Sequence, residues 1–227
     1  MTSDDRPPGA IATRDAIASG RLTALAATEA RLARIAEAEP GIRAWVEVDA
    51  EGALLVDAAQ PEPFPVESRG QQELVAFYGL AGRQGGYRPP LVQVPVPWVM
   101  RLAWDSSATR SFLWIHEKAA ESAARALGRI AASYTGAEIR DLGLDIFGGD
   151  YAPRKMRGAD RYSLHSWGIA IDFDPVRNAL RADKRTARLA QPDAEPFWRA
   201  WEAEGWTSLG RDRNYDWMHV QAAARGY

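Results

Sequence analysis

The hydrophobic pattern changes character along the chain. Leu22, Leu25, Leu32 and Ile35 recur at helical spacing with alanines between them, Thr23 stands as an N-cap and Pro40 ends the run. This predicts an amphipathic helix. Residues 44–48, Ala-Trp-Val-Glu-Val, alternate like a short strand, and residues 53–59 suit a further helical turn or two. Residues 60–65 then hold three prolines, which fix backbone angles and remove amide donors, and so read as a linker. The predicted division is a helical, acidic N-terminal segment with linker over 1–62 and a larger domain over 63–227.

From Ser68 onward helical and strand patterns mix. Residues 91–95 and 99–104 are predicted strands. The apolar series Leu113, Ile115, Ala119, Ala123, Leu127, Ile130 predicts a helix entered near His116 and Glu117 and ending by Tyr134. Residues 137–142 suit a short helix, 144–147 and 168–173 strands, 196–204 a Trp-rich helix and 217–221 a last strand. No regular βαβ repeat emerges. The expected class is α+β, a small antiparallel sheet flanked by helices and preceded by the helical segment.

Composition narrows the chemistry. The 227 residues include no cysteine and three histidines, which excludes a disulfide scaffold, an iron–sulfur cluster and a cysteine nucleophile. Any metal must be held by histidines and carboxylates. The apolar stretch 91–100 is interrupted by Gln93, Pro95 and Pro97, so no transmembrane segment is expected. The opening MTSDDRPPG has neither a basic nor an apolar signal region. The expected localisation is therefore cytoplasmic as synthesised. Residues 1–67 carry six arginines against twelve acidic residues, and 68–227 carry twenty-two basic against eighteen acidic. That mild basicity is far from the field a nucleic-acid binder needs, so no nucleic-acid partner is expected.

His116 opens a patterned helix and is assigned to structure. The other two histidines stand near carboxylates, in SLHSWGIAIDFDP (163–175) and YDWMHVQ (215–221). A catalytic zinc takes three protein ligands and keeps one open position, and His165, Asp172 and His219 make such a set. Asp172 falls inside an apolar strand, where an unpaired carboxylate is costly and a cation would offset the cost. Gly168 lets the chain turn between His165 and that strand. Asp216, three before His219, is placed to accept the proton of the attacking water. Trp167 and Trp217 are candidates for cleft wall or packing, Asp174 for support of the site or a turn, and Trp198, Trp201 and Trp206 for core.

The segments FGGDYAPRKMRGADRYSLHSWGIAIDFDPVRN (147–178) and WEAEGWTSLGRDRNYDWMHVQAA (201–223) resemble zinc peptidases grouped with D-alanyl-D-alanine carboxypeptidases, D,D-dipeptidases and phage L-alanyl-D-glutamate endolysins. The likeness is nearest to phage and prophage members and extends loosely over 65–223. The family's S-x-H-x₆-D falls on Ser163, His165 and Asp172, and its D-x-x-H on Asp216 and His219. The resemblance implies one zinc ion on His165, Asp172 and His219, with Asp216 as general base and then acid. It places the family's arginine at Arg154, with Arg157 as the neighbouring alternative, and Ser163 beside substrate or steadying the loop. It further implies peptidoglycan stem peptides as substrate, reached after release or delivery to the cell wall. The sequence leaves the oligomeric state open, with a monomer as the expectation. Asp150 stands where many relatives have a small residue or Cys, and Ala159 where a glycine is common. The alternative is a non-catalytic, zinc-retaining module of a phage-like particle, which would have no need of Asp216. Residues 22–59 also resemble the helical start of amidase-signature hydrolases, but no Ser–Ser–Lys arrangement follows, so no amidase chemistry is carried over.

Overall fold

The computed structural model describes residues 64–156 and 158–226, together with Ala30 and Ala33, both helical. The chain divides into two units, Met1–Gln60 and Pro61–Tyr227. The expected N-terminal helix, the strand at 44–48, the helical turns at 53–59, the linker and Arg157 lie outside the described residues, except for Ala30, Ala33, Phe64 and Pro65.

The second unit is α+β. Its strands are β1 (Val66–Glu67), β2 (Leu91–Leu102), β3 (Asp105–His116), β4 (Ile146–Gly149), β5 (Ala170–Phe173), β6 (Thr207–Ser208), β7 (His219–Gln221) and β8 (Ala224–Arg225). Its helices are α1 (Gln72–Tyr78), α2 (Glu117–Ser133), α3 (Gly136–Leu142), α4 (Glu195–Glu202) and α5 (Leu209–Arg213). Six strands form one sheet in the order β3-β2-β4-β5-β7-β6, while β1 and β8 pair separately. The expectation of an antiparallel sheet needs correction, because β2 and β4 run parallel, Arg101 beside Ile146 and Leu102 beside Phe147. The chain between them crosses over through β3, α2 and α3, which is what a parallel pair requires.

Two boundaries also differ from the pattern reading. The predicted strands at 91–95 and 99–104 are one long strand whose register slips between Pro95 and Met100, as a proline with no amide donor allows. Its partner β3 was missed. Leu113 and Ile115 belong to that strand and point inward at its end, where period two and helical spacing briefly coincide.

Helix α2 buries Ala119, Ser122, Ala123, Ala126, Leu127 and Ile130 along one stripe and packs on β2 and α4. His116 caps it, its Nδ1 accepting from the Lys118 amide at 3.2 Å while Nε2 meets the Tyr78 carbonyl at 2.9 Å. His116 is thus structural. Helix α3 begins with a capping box, Thr135 with Glu138, and ends at Gly143 in the left-handed conformation. Helix α4 turns Phe197, Trp198 and Trp201 into the core beside Phe173, and Trp206 donates to Ser122 Oγ at 2.9 Å. Glu204, buried, receives Arg125 at 2.8 Å and Arg129 at 3.0 Å, joining α2 to the end of α4. Among the described residues no helix is long and apolar enough to cross a membrane.

Candidate metal centre

Strands β5 and β7 pair antiparallel with Asp172 directly opposite His219. Directly opposed residues present their side chains to the same face, so the register alone brings this carboxylate and imidazole together. His165 arrives from a 3₁₀ turn, Leu164–Trp167, that closes at Gly168 with φ 70°. A Cβ at Gly168 would lie 2.4 Å from Leu91 Cδ2 and 3.3 Å from the His116 nitrogen, so the turn needs glycine for both conformation and space. Ligand atoms of His165, Asp172 and His219 all lie within 4.8 Å of one another.

The hydrogen-bonding of the two rings decides which nitrogens face inward. His165 Nδ1 lies 2.6 Å from the Asp150 carbonyl, an acceptor only, so Nδ1 carries the proton and the Nε2 lone pair faces Asp172 Oδ2 at 3.3 Å. Gln221 Nε2 donates to the Ala223 carbonyl at 3.0 Å, which turns its Oε1 toward His219 Nε2 at 3.2 Å. His219 therefore donates from Nε2 and aims its Nδ1 lone pair at Asp172 Oδ1, 2.9 Å away. Lone pairs from two rings and one carboxylate converge on one point. That arrangement is repulsive unless a proton or a cation occupies it, and the N, O, N donor set suits zinc.

Electrostatics follow the same geometry. Burial pushes the Asp172 carboxyl up, but a proton held between it and the His165 and His219 rings outweighs burial and draws it below the usual carboxylate range. Burial pushes the His219 ring down, and Asp172 and Asp216 together reverse that and raise it. Asp216 is raised chiefly by burial, with Asp172 adding to the rise and His219, His165 and Arg154 opposing it. Its φ is 55°, its amide donates to the Leu180 carbonyl at 3.1 Å, and its Oδ1 is buried with no hydrogen-bond partner.

All three residues of the group, Asp216, Ser163 and Arg154 line one cleft of about 530 Å³. Arg154 is exposed, and among the described residues its guanidinium has no hydrogen-bond or ion-pair partner. Ser163 is buried; its main chain links the Arg154 carbonyl, 3.0 Å from its amide, to the Ser166 amide, 2.8 Å from its carbonyl. Trp167 and Trp217 do not line the cleft. Trp167 donates to the Gly79 carbonyl at 2.9 Å and Trp217 packs against Trp198, so both belong to the core. Asp174 lies beyond β5 with φ 43°, pairs with Arg177 and accepts at its carbonyl from the Asn178 amide at 3.1 Å, which makes it a turn residue.

Several residues that support the site escaped the sequence reading. Asp150 is buried, and its Oδ2 accepts from the Trp114 amide at 2.7 Å and from Arg110 Nη2 at 2.9 Å, while its carbonyl holds His165. Arg110 itself stacks between Phe112 and Phe147, at 4.4 and 4.2 Å from their centroids. Gln221 carried a readable signal, since it stands two after His219 and so on the same strand face. Glu67 lines the cleft from a segment far from either motif, where spacing offers no signal, whereas Arg161 stands two before Ser163 and Arg225 six after His219.

An α+β domain with a buried two-histidine, one-aspartate group at a cleft defines a candidate hydrolytic metal centre. Residues 157–222 match a family model described as D-alanyl-D-alanine carboxypeptidase, and the matched stretch contains His165, Asp172, Asp216 and His219. The match supports a peptidase. Comparison with curated proteins and with solved structures gives no match.

Proposed function

We propose that the chain is a zinc-dependent metallopeptidase acting on the peptide stems of peptidoglycan, at the D-Ala-D-Ala or the L-Ala-D-Glu bond, as a cell-wall-degrading or remodelling enzyme of phage or prophage type. The observation that carries this reading is the convergence of the His165 Nε2 and His219 Nδ1 lone pairs on Asp172, in the cleft that also holds the unpartnered carboxylate oxygen of Asp216. A purely structural zinc takes four protein ligands, whereas the group found among the described residues has three.

His165, Asp172 and His219 would hold the ion, which when bound supplies Lewis acidity to the scissile carbonyl and to the attacking water. Asp216 is the base. Its Oδ1 has no other partner, and burial has raised its proton affinity, so it can take a proton from water and return it to the departing amine. Arg154 brings an uncommitted guanidinium to the same cleft, where it can pair with an oxyanion or a substrate carboxylate. Ser163 sets the backbone between Arg154 and His165. Arg157, three residues on in the sequence, is the alternative bearer of the role given to Arg154.

Zinc content and muropeptide release from purified peptidoglycan test the reading. The wild type is expected to bind one zinc and release peptides, His165→Ala to lose both, and Asp216→Ala to keep zinc and lose release. Zinc binding without release by the wild type would reject the enzymatic claim, and activity surviving in Asp216→Ala would reject the base.

A further inference from the structure

Gln71 sits where a side chain is disfavoured. It precedes α1 with φ 59°, the left-handed region in which a residue bearing a Cβ is strained, and it is only 5% exposed. Glycine would adopt that conformation freely, so the side chain must contribute something that outweighs the strain. Its amide supplies two hydrogen bonds to a single distant residue. Nε2 donates to the Tyr162 carbonyl at 2.8 Å, and Oε1 accepts from the Tyr162 amide at 3.0 Å. One side chain thereby satisfies both main-chain groups of Tyr162, as a neighbouring strand would.

Tyr162 belongs to the second of two limbs, 154–156 and 161–163, that run side by side. The Met156 amide donates to the Arg161 carbonyl at 2.9 Å, the Ser163 amide to the Arg154 carbonyl at 3.0 Å, and Lys155 bridges to Tyr162. Ser166 secures the first limb, its Oγ accepting from the Arg154 amide at 2.9 Å and donating to the Arg154 carbonyl at 2.8 Å. Gln71 secures the second. These limbs supply Arg154, Lys155, Met156, Arg161 and Ser163 to the cleft, whereas Asp172 and His219 are fixed independently by the β5–β7 ladder.

We propose that Gln71 is a positioning residue for substrate binding, holding the limbs that carry the cationic wall of the cleft without contributing to the metal group. This rests on the peptidase reading above. Gln71→Ala and Gln71→Gly both remove the two hydrogen bonds, and glycine also relieves the left-handed strain, so a folding defect and a positioning defect separate between them. The full chain would be assayed on the synthetic pentapeptide L-Ala-γ-D-Glu-L-Lys-D-Ala-D-Ala, which contains each candidate bond. KM is expected to rise about tenfold in both variants, the scale of one or two lost hydrogen bonds, with kcat within about threefold and zinc content unchanged. Gln71→Glu keeps the acceptor for the Tyr162 amide and should fall between. Trypsin cleavage within 154–162 should accelerate in the alanine and glycine variants, a readout that needs no activity. An unchanged KM in both variants of an active enzyme, or an unchanged cleavage rate, overturns the inference. A wild type that cleaves neither the pentapeptide nor peptidoglycan overturns the peptidase reading and the substrate role with it, while the trypsin rate still reports whether Gln71 holds the limbs.

Discussion

Replacing Asp150 should cost both stability and metal affinity, for separable reasons. Its carboxylate receives the Trp114 amide at 2.7 Å and Arg110 Nη2 at 2.9 Å, and Arg110 is only 16% exposed. Asp150→Ala leaves a strand amide without an acceptor and a largely desolvated guanidinium without its counter-charge, held only by the Phe112 carbonyl at 2.7 Å from Nε, and breaking such a pair costs about 3–5 kcal/mol. Burial raises the Asp150 carboxyl despite Trp114 and Arg110, so desolvation already offsets part of the pairing and the lower end, about 3 kcal/mol, is expected. Asp150→Asn retains an acceptor without the charge and should lose about 1.5–3 kcal/mol. The second effect runs through the main chain. The Asp150 carbonyl orients His165; the alanine variant keeps that carbonyl but loosens the main chain that carries it, so metal affinity should fall by less than the ~10–100-fold that follows outright loss of such a partner. Urea unfolding of the metal-free protein measures the first effect free of ligand linkage, and zinc competition against a chromophoric chelator measures the second. An alanine variant within about 0.5 kcal/mol of wild type, with unchanged zinc affinity, would show that the carboxylate fixes neither strand nor ligand.

Gly168→Ala combines left-handed strain with the close approach to Leu91 and His116, and should destabilise by about 2–4 kcal/mol in a melting or urea series; a change below about 0.5 kcal/mol would contradict the turn's need for glycine. Glu204→Ala should cost about 1–3 kcal/mol, because it removes the acceptor shared by Arg125 and Arg129, and Glu204→Gln should recover part of this; equal stability of all three proteins would argue that the contact is idle. His116 gives a pH signature. Burial holds its imidazole below the ordinary value, with the Tyr78 carbonyl opposing, so the unfolded chain binds more protons below ~6.5. The stability this group contributes is present above ~6.5 and lost as pH falls toward its lower folded value, so the gap between wild type and His116→Asn should narrow on acidification. A gap constant from about pH 8 to about pH 5.5 would remove that assignment.

The sequence made the local elements legible and the long-range ones obscure. The stripe of α2, the Trp-rich face of α4 and the strand around Asp172 were readable because burial imposes a period on consecutive residues. The hairpin partner β3 was hidden because its first eight residues, Asp105–Phe112, are exposed or half-exposed, and the half-exposed positions that alternate along it include Arg110 rather than an apolar residue. The parallel β2–β4 pairing leaves no local trace, since a crossover is a fact about chain return rather than spacing. Within the site, His165, Asp172, Asp216 and His219 stood in two short strings, and the fold brings both strings to one cleft. Asp150 and Gln71 act through backbone carbonyls and amides of other segments, which have no residue identity for a motif to record.

Two carboxylates at one cleft need different proton affinities if one is to bind a cation and the other to carry a proton. Asp172 faces two imidazoles and is drawn down; Asp216 is raised mainly by burial, keeps one oxygen without a partner, and feels Asp172 as a like charge. Such a divergence between neighbouring acids is how enzymes divide roles that free aspartates could not divide. The direction of the division matters. A carboxylate held low stays ionised and available to a metal, whereas one held high is the better acceptor of a proton from water. Exchanging the two environments would leave the ligand position protonated and the base too weak. Under the proposed function, the order Asp172 low and Asp216 high is the one hydrolysis would require; the β5–β7 register sets Asp172 against an imidazole, and burial raises Asp216 in the turn before His219.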